Sequence, residues 1–147
     1  MITRIPIKFL KIQHDGFHLA IKIRINKKVA HVLIDTGASK TVFDLEKITK
    51  FVKATSFDLH DRLSTGLGTS NMTSHITSID ELKIGDIVLS NYTTVLLDLS
   101  HVNQSYVQLG LKPIDGVIGS DLLSDFAAII DFKNKDLKLK YAKKKSR

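Results

Sequence analysis

Three aliphatic residues, Val32-Leu33-Ile34, run directly into Asp35-Thr36-Gly37-Ala38-Ser39. The apolar run predicts a buried strand, so Asp35 is a carboxylate delivered at its end into a turn of small residues. A charge placed there is costly unless hydrogen bonds or a function maintain it. Thr36 and Ser39 supply hydroxyls for the first purpose, and Gly37 admits backbone angles and close approaches that other residues forbid. Two readings follow: a turn carboxylate that caps backbone amides, or a carboxylate kept for acid–base chemistry.

Other chemistries find less support. The chain has no cysteine, which excludes a thiolate metal site, a cysteine nucleophile and a disulfide framework. His14, His18, His31, His60, His75 and His101 make no short metal-ligand spacing, so no metal and no cofactor is expected. Asp98 and Ser100-His101 are neighbours in sequence only, and no strained nucleophile turn surrounds a serine. Gly66 and Gly68 are followed by neither a Lys-Ser/Thr pair nor a clear helix, which argues against a phosphate cradle. Asp121 and Asp125 are expected to cap or flank a short helix, and Asp131 to bind local backbone.

The elements that must position Asp35 read as short strands separated by turns, an all-β pattern. Residues 5–12 alternate loosely before the His14-Asp15-Gly16 turn. Residues 17–25 alternate clearly, with Phe17, Leu19, Ile21, Ile23 and Ile25 on one face. Asn26-Lys27 closes a hairpin into 29–34, so two hairpin strands feed Asp35. Residues 41–47 suggest a strand end and a helical turn. The Ser/Thr/Gly-rich stretch 56–79 reads as a long exposed hairpin with its tip at Gly66, Leu67 and Gly68. Residues 82–89, broken at Gly85-Asp86, predict a further hairpin, and 93–97 a separate strand. Residues 101–109 predict a helix capped by Ser100 and stopped by Gly110. A second apolar delivery, Val117-Ile118-Gly119, precedes a short helix at 120–124. Residues 126–132 and 137–141 predict closing strands around an Asn134-Lys135 turn.

At 147 residues, 43% apolar and 25% charged, the chain fits one domain over 1–141 with a basic tail at 142–147. Much of the net charge of +7 lies near that tail, in Lys138, Lys140, Lys143, Lys144, Lys145 and Arg147. No nucleic-acid motif accompanies it, and neither a nucleic-acid nor a membrane partner is expected. No stretch has the form of a signal peptide or is long enough to span a bilayer, so a cytoplasmic location is expected.

Three separated features lie in one order: Asp35-Thr36-Gly37-Ala38-Ser39, the glycine-bearing hairpin at 66–68, and Gly116-Val117-Ile118-Gly119-Ser120-Asp121 before a short helix. Together they resemble one lobe of a retropepsin-like aspartic protease, over roughly residues 17–141. The resemblance implies an all-β lobe of folded, barrel-like sheets with one or two short helices, hydrolysing extended polypeptides. Such chemistry needs two carboxylates, one to activate a water and the other to polarise or protonate the amide. Two carboxyls sharing a site cannot both ionise readily and hold one proton between them, the known behaviour of aspartic proteases as a class. This chain has a single Asp-Thr-Gly and about half the length of a two-lobed enzyme. The resemblance therefore implies a homodimer with Asp35 contributed twice.

By the same resemblance Asp35 is catalytic, Thr36 bonds across the dimer axis, and Gly37 lets substrate backbone approach. Ala38 and Ser39 line the adjoining pocket, while Gly66, Leu67 and Gly68 form a flap over a peptide or protein substrate. Val117, Ile118 and Gly119 support the catalytic loop, and Leu67, Val117 and Ile118 offer apolar walls for specificity. Ser39 and Ser120 stand where viral members often carry an Asp–Arg ion pair, which moves the chain toward cellular or bacterial relatives. The alternative is a non-catalytic peptide-binding or dimerisation module on the same fold.

Overall fold

The computed structural model describes residues 1–54, 57–59 and 73–143. Its strands are β1 (Ile2–Pro6), β2 (Lys8–Lys11), β3 (Phe17–Ile25), β4 (Lys28–Ile34), β5 (Val42–Asp44), β6 (Asp58–Leu59), β7 (His75–Ile84), β8 (Ile87–Leu97), β9 (Gly116–Ile118), β10 (Ile129–Asp131) and β11 (Asp136–Lys140). The helices are α1 (Ser100–Gln108) and α2 (Ser120–Asp125), with a 3-10 turn over Lys47–Lys50.

The larger sheet runs β2-β3-β4-β9-β5-β8-β7-β6, and a further β3–β7 pairing at Arg24↔Lys83 and Ile25↔Leu82 bends it back on itself. Strands β3, β4, β9, β5, β8 and β7 thus form a closed six-stranded barrel. Closure removes the free edges that an open sheet would leave unpaired. A second sheet, β1-β11-β10, pairs the two ends of the described chain. There the Met1 ammonium donates to the Tyr141 carbonyl at 2.8 Å, and the Tyr141 N–H donates back to the Met1 carbonyl at 2.9 Å.

The alternation along β3 explains how the barrel is filled. Ile21, Ile23 and Ile25 point into a main core with Phe43, Leu82, Leu96, Leu137 and Leu139. Ala20, on the opposite face, joins a second cluster with Val42, Leu97, Tyr106, Ile114 and Val117, where α1 packs on the outside of the barrel. Burying both faces of the central strands is why β4 and β9 read as nearly continuous apolar runs.

Several sequence expectations need correction. Residues 5–12 form two strands, because the chain leaves β1 at Pro6 and passes from the small sheet to the edge of the larger one. Residues 93–97 belong to the unbroken β8, in which Ser90 and Tyr92 keep one register with Glu81 and Ile79 around the positive φ of Asn91. Ser100 is the first residue of α1, preceded by Leu99 as N-cap. The capping carboxylate is that of Asp98, which accepts the Ser100 N–H at 2.9 Å and is held below the usual range by the hydroxyl and N–H of Ser100. Gly110 does stop the helix. At φ 74° it donates to Val107 O at 3.0 Å while Leu111 donates to Tyr106 O at 2.8 Å, a Schellman closure. Among the described residues no helix is long and apolar enough to cross a membrane.

Candidate active site

Strands β4 and β9 run parallel, with Val32↔Gly116, Leu33↔Val117 and Ile34↔Ile118 in register. β9 is wedged between β4 and β5, and Gly116 makes that possible: a Cβ there would lie 2.6 Å from the Phe43 ring and 2.7 Å from the Val42 carbonyl. The ladder continues into the loop, since the Asp35 N–H donates to Ile118 O at 3.0 Å. Asp35 therefore leaves the barrel at a point set by two strands.

The loop of residues 35–41 is then tied to 119–121 by a set of hydrogen bonds. Gly119 lies so close beneath it that a Cβ would meet the Lys40 carbonyl carbon at 2.6 Å and the Ala38 oxygen at 2.8 Å. The Ser120 N–H donates to Ala38 O at 2.7 Å, and the Gly119 N–H to Thr41 Oγ1 at 3.0 Å. Thr41 Oγ1 in turn donates to Asp121 Oδ1 at 2.8 Å, while the Thr41 N–H donates to both Asp121 oxygens at 2.9 and 3.0 Å. Burial, and secondarily the nearby Asp121 carboxylate, push the Tyr92 phenol up to about 12, which keeps it neutral beside this latch. The Thr41–Asp121 pair joins the two halves of the site. Asp121 does serve the start of α2, accepting the Leu122 N–H at 2.8 Å, but helix capping is the lesser of its roles.

Asp35 itself is half-buried, and its Oδ1 accepts the Gly37 N–H at 2.9 Å. Gly37 does not use the left-handed backbone region that the sequence suggested. Its missing Cβ instead leaves room beside the carboxylate, since that atom would sit 3.3 Å from Asp35 Oδ1. Thr36, Gly37 and Ser39 are exposed. Thr36 has no hydrogen-bond partner for its hydroxyl among the described residues of this chain.

Ala38 departs from expectation. It is only 2% exposed and packs in the second core, so its methyl is no pocket wall in this protomer. Val117 and Ile118 are likewise buried, one in each core, and support the loop without offering a surface for specificity. Gly66, Leu67 and Gly68 lie outside the described residues.

The other aspartates close to this frame are occupied. Asp115, 5% exposed, accepts the His31 N–H at 2.9 Å and pairs with Lys50 Nζ at 2.9 Å. Asp44 accepts the Lys47 N–H at 2.9 Å and the Leu99 N–H at 2.8 Å. Among the described residues no group of three or more His, Asp or Glu is placed to hold a metal ion.

The architecture has relatives of known structure. A retropepsin-like aspartic protease from Rickettsia conorii superposes with a TM-score of 0.60 at 21% identity, covering 96% of this chain and 91% of the other. The retroviral protease-like domain of Ddi1 from Leishmania major superposes with a TM-score of 0.55 at 17% identity, covering 83% and 87%. At these identities the likeness concerns the fold: both share the retropepsin-like lobe. No curated protein sequence matches the chain significantly. A family model described as aspartyl protease matches residues 21–122, a span that contains Asp35, the Thr41–Asp121 latch and Gly119. That match covers most of the chain, and the protein belongs to the aspartyl protease family with a retropepsin-like fold.

Proposed function

We propose that the protein is an aspartic endopeptidase whose active site forms when two copies bring their Asp35 carboxylates together. The observation that carries this reading is the state of Asp35: half-buried at the end of β4, tied to β9 through its N–H, with a single donor to its carboxylate among the described residues. The remaining acceptor sites of the carboxylate are open to a water and a second carboxyl. Asp44, Asp115 and Asp121 are engaged by structural donors, which leaves a second copy as the source of the partner group.

In the dimer, one proton is shared between the two Asp35 carboxyls. The ionised member takes a proton from the bound water as it attacks the scissile carbonyl carbon. The protonated member donates to the carbonyl oxygen, giving a tetrahedral diol. Proton transfer to the amide nitrogen then lets the carbon–nitrogen bond break and restores the shared proton. Thr36, exposed and without a hydroxyl partner among the described residues, bonds with the opposite loop in this reading, and Gly37 leaves room for an extended backbone. Ser39 is exposed beside the carboxylate loop, on the side open to a substrate.

The test is cleavage of an unfolded protein from acidic to neutral pH by the wild type beside Asp35→Asn. The variant is expected to lose activity by about 10²–10⁴-fold, the range for removing a general acid–base group. Cleavage that persists in the variant contradicts the mechanism. A stable monomer with no cleavage by either protein supports the alternative, a peptide-binding module on the same fold.

A further inference from the structure

A cavity of about 660 Å³ lies on the outer face of the barrel, formed by the β1–β2 bend, β3, β4 and the segment that follows α1. It is separate from the Asp35 loop, none of whose residues lines it. Its size falls within the roughly 300–1,000 Å³ typical of small-molecule sites. The chain builds it for a simple reason. Helix α1 covers only part of the outer face of the sheet, and the Schellman closure at Gly110 turns residues 110–114 back across the rest like a roof.

The lining has two parts. Ile7, Leu10, Ala20 and Ile114 form an apolar floor continuous with the two cores. Lys8, Lys22 and Lys112 are exposed and line the same cavity, with His31 half-buried among them. No aspartate or glutamate is among its described lining residues. Asp115 lies behind His31, but its carboxylate is already taken by the His31 N–H and by Lys50. Burial holds the His31 imidazole below its ordinary value, Asp115 opposes this, and Lys112, Lys22 and Lys8 add to the lowering. Lys22 is the cross-strand partner of His31, and Lys8 and Lys112 line the same cavity. Three lysines without an acidic partner among the described residues, beside an apolar floor, are complementary to a ligand with a single anionic head and an aliphatic body.

We infer that this cavity binds an aliphatic monocarboxylate of medium chain length, its chain on the Ile7–Leu10–Ala20–Ile114 floor and its carboxylate held by Lys22 and Lys112. Charge-assisted hydrogen bonds to two ammonium groups fix the head, and burial of the chain supplies most of the affinity. The ligand would bridge β3, which pairs with β4, and the segment leading into β9, so it would clamp the neighbours of the two strands that hold the Asp35 loop. Its binding should therefore raise the thermal midpoint of the whole protein.

The experiment uses the full chain, uniformly ¹⁵N-labelled, titrated with sub-micellar decanoate and, separately, with decanol. Decanoate is expected to give saturable shifts in the amides of Lys22, His31, Lys112 and Ile114 and to raise the thermal midpoint. Decanol should bind about tenfold more weakly, lacking the charged head. The double substitution Lys22→Gln with Lys112→Gln alters only exposed side chains and should weaken decanoate by about tenfold, from about twofold to fivefold at each lysine. Absence of saturable shifts, equal affinity for decanol, or unchanged decanoate affinity in the double variant would each overturn the inference. Because every readout is binding, the outcome is independent of whether the protein cleaves peptides.

Discussion

Strands β4 and β9 carry a carboxylate at each end of their parallel pairing, and the fold treats the two in opposite ways. Asp115 precedes β9, is 5% exposed, and has its oxygens filled by the His31 N–H and the Lys50 ammonium. Asp35 follows β4, is half-buried, and has one donor among the described residues, the Gly37 N–H. A buried carboxylate saturated by donors is a joint, because removing it strands those donors. A partly exposed carboxylate with open acceptor sites, mounted on an equally rigid frame, is available for chemistry. The contrast lies in burial and in how many donors each meets, although the same pair of strands positions both.

The strongest way to break the contrast is to disturb the frame itself. Gly119→Val would drive side-chain carbons into the backbone of Lys40 and Ala38, neither of which can swing away. A loss of about 3 kcal/mol or more is expected, measured by urea denaturation, with any activity falling along with folding. Little change would mean that the close passage of β9 under the loop is not what fixes Asp35.

A second comparison sets the two carboxylates directly against each other. Asp115→Ala leaves the His31 N–H without its acceptor and should cost about 2 kcal/mol. Asp35→Asn keeps an oxygen for the Gly37 N–H and should stay within about 0.5 kcal/mol of the wild type while abolishing cleavage. Equal stability losses in the two denaturation curves would erase the distinction between joint and reactive group.

The smallest expected effect concerns a third carboxylate, that of Asp131. Asp131 accepts the Asn134 N–H and side-chain amide and pairs with Lys138, which together lower its pKa to about 2. A folded-state pKa below the ordinary value of 3.8 stabilises the fold above about pH 4, and that contribution is lost as pH falls toward 2. The thermal midpoints of wild type and Asp131→Asn should therefore differ slightly at pH 6 and converge near pH 2. A gap that widens on acidification would contradict this sign.

Much of this was legible in the sequence where the signal is local. The period-2 run of β3, the Asn26-Lys27 turn and the apolar delivery into Asp35 announce themselves, and so does the stop at Gly110. What was hidden depends on tertiary placement. The Thr41–Asp121 latch joins residues 80 positions apart, and nothing near Asp121 distinguishes it from an ordinary first-turn acid. Ala38 was assigned to a pocket by the family resemblance; its burial in the second core, with Val42, Leu97 and Val117, is a matter of tertiary packing that the sequence does not display. The cavity under residues 110–114 was invisible for the same reason, since its lysines are scattered over three elements.

The central claim is that the site contains Asp35 twice, and subunit mixing tests it most directly. Wild-type protein is equilibrated with increasing Asp35→Asn at constant total concentration, and cleavage of an unfolded substrate is followed. If each active site needs a carboxylate from both copies, activity falls as the square of the wild-type fraction, so an equal mixture retains about a quarter. A linear decline, with half the activity in the equal mixture, would show that each chain works alone and would contradict the account.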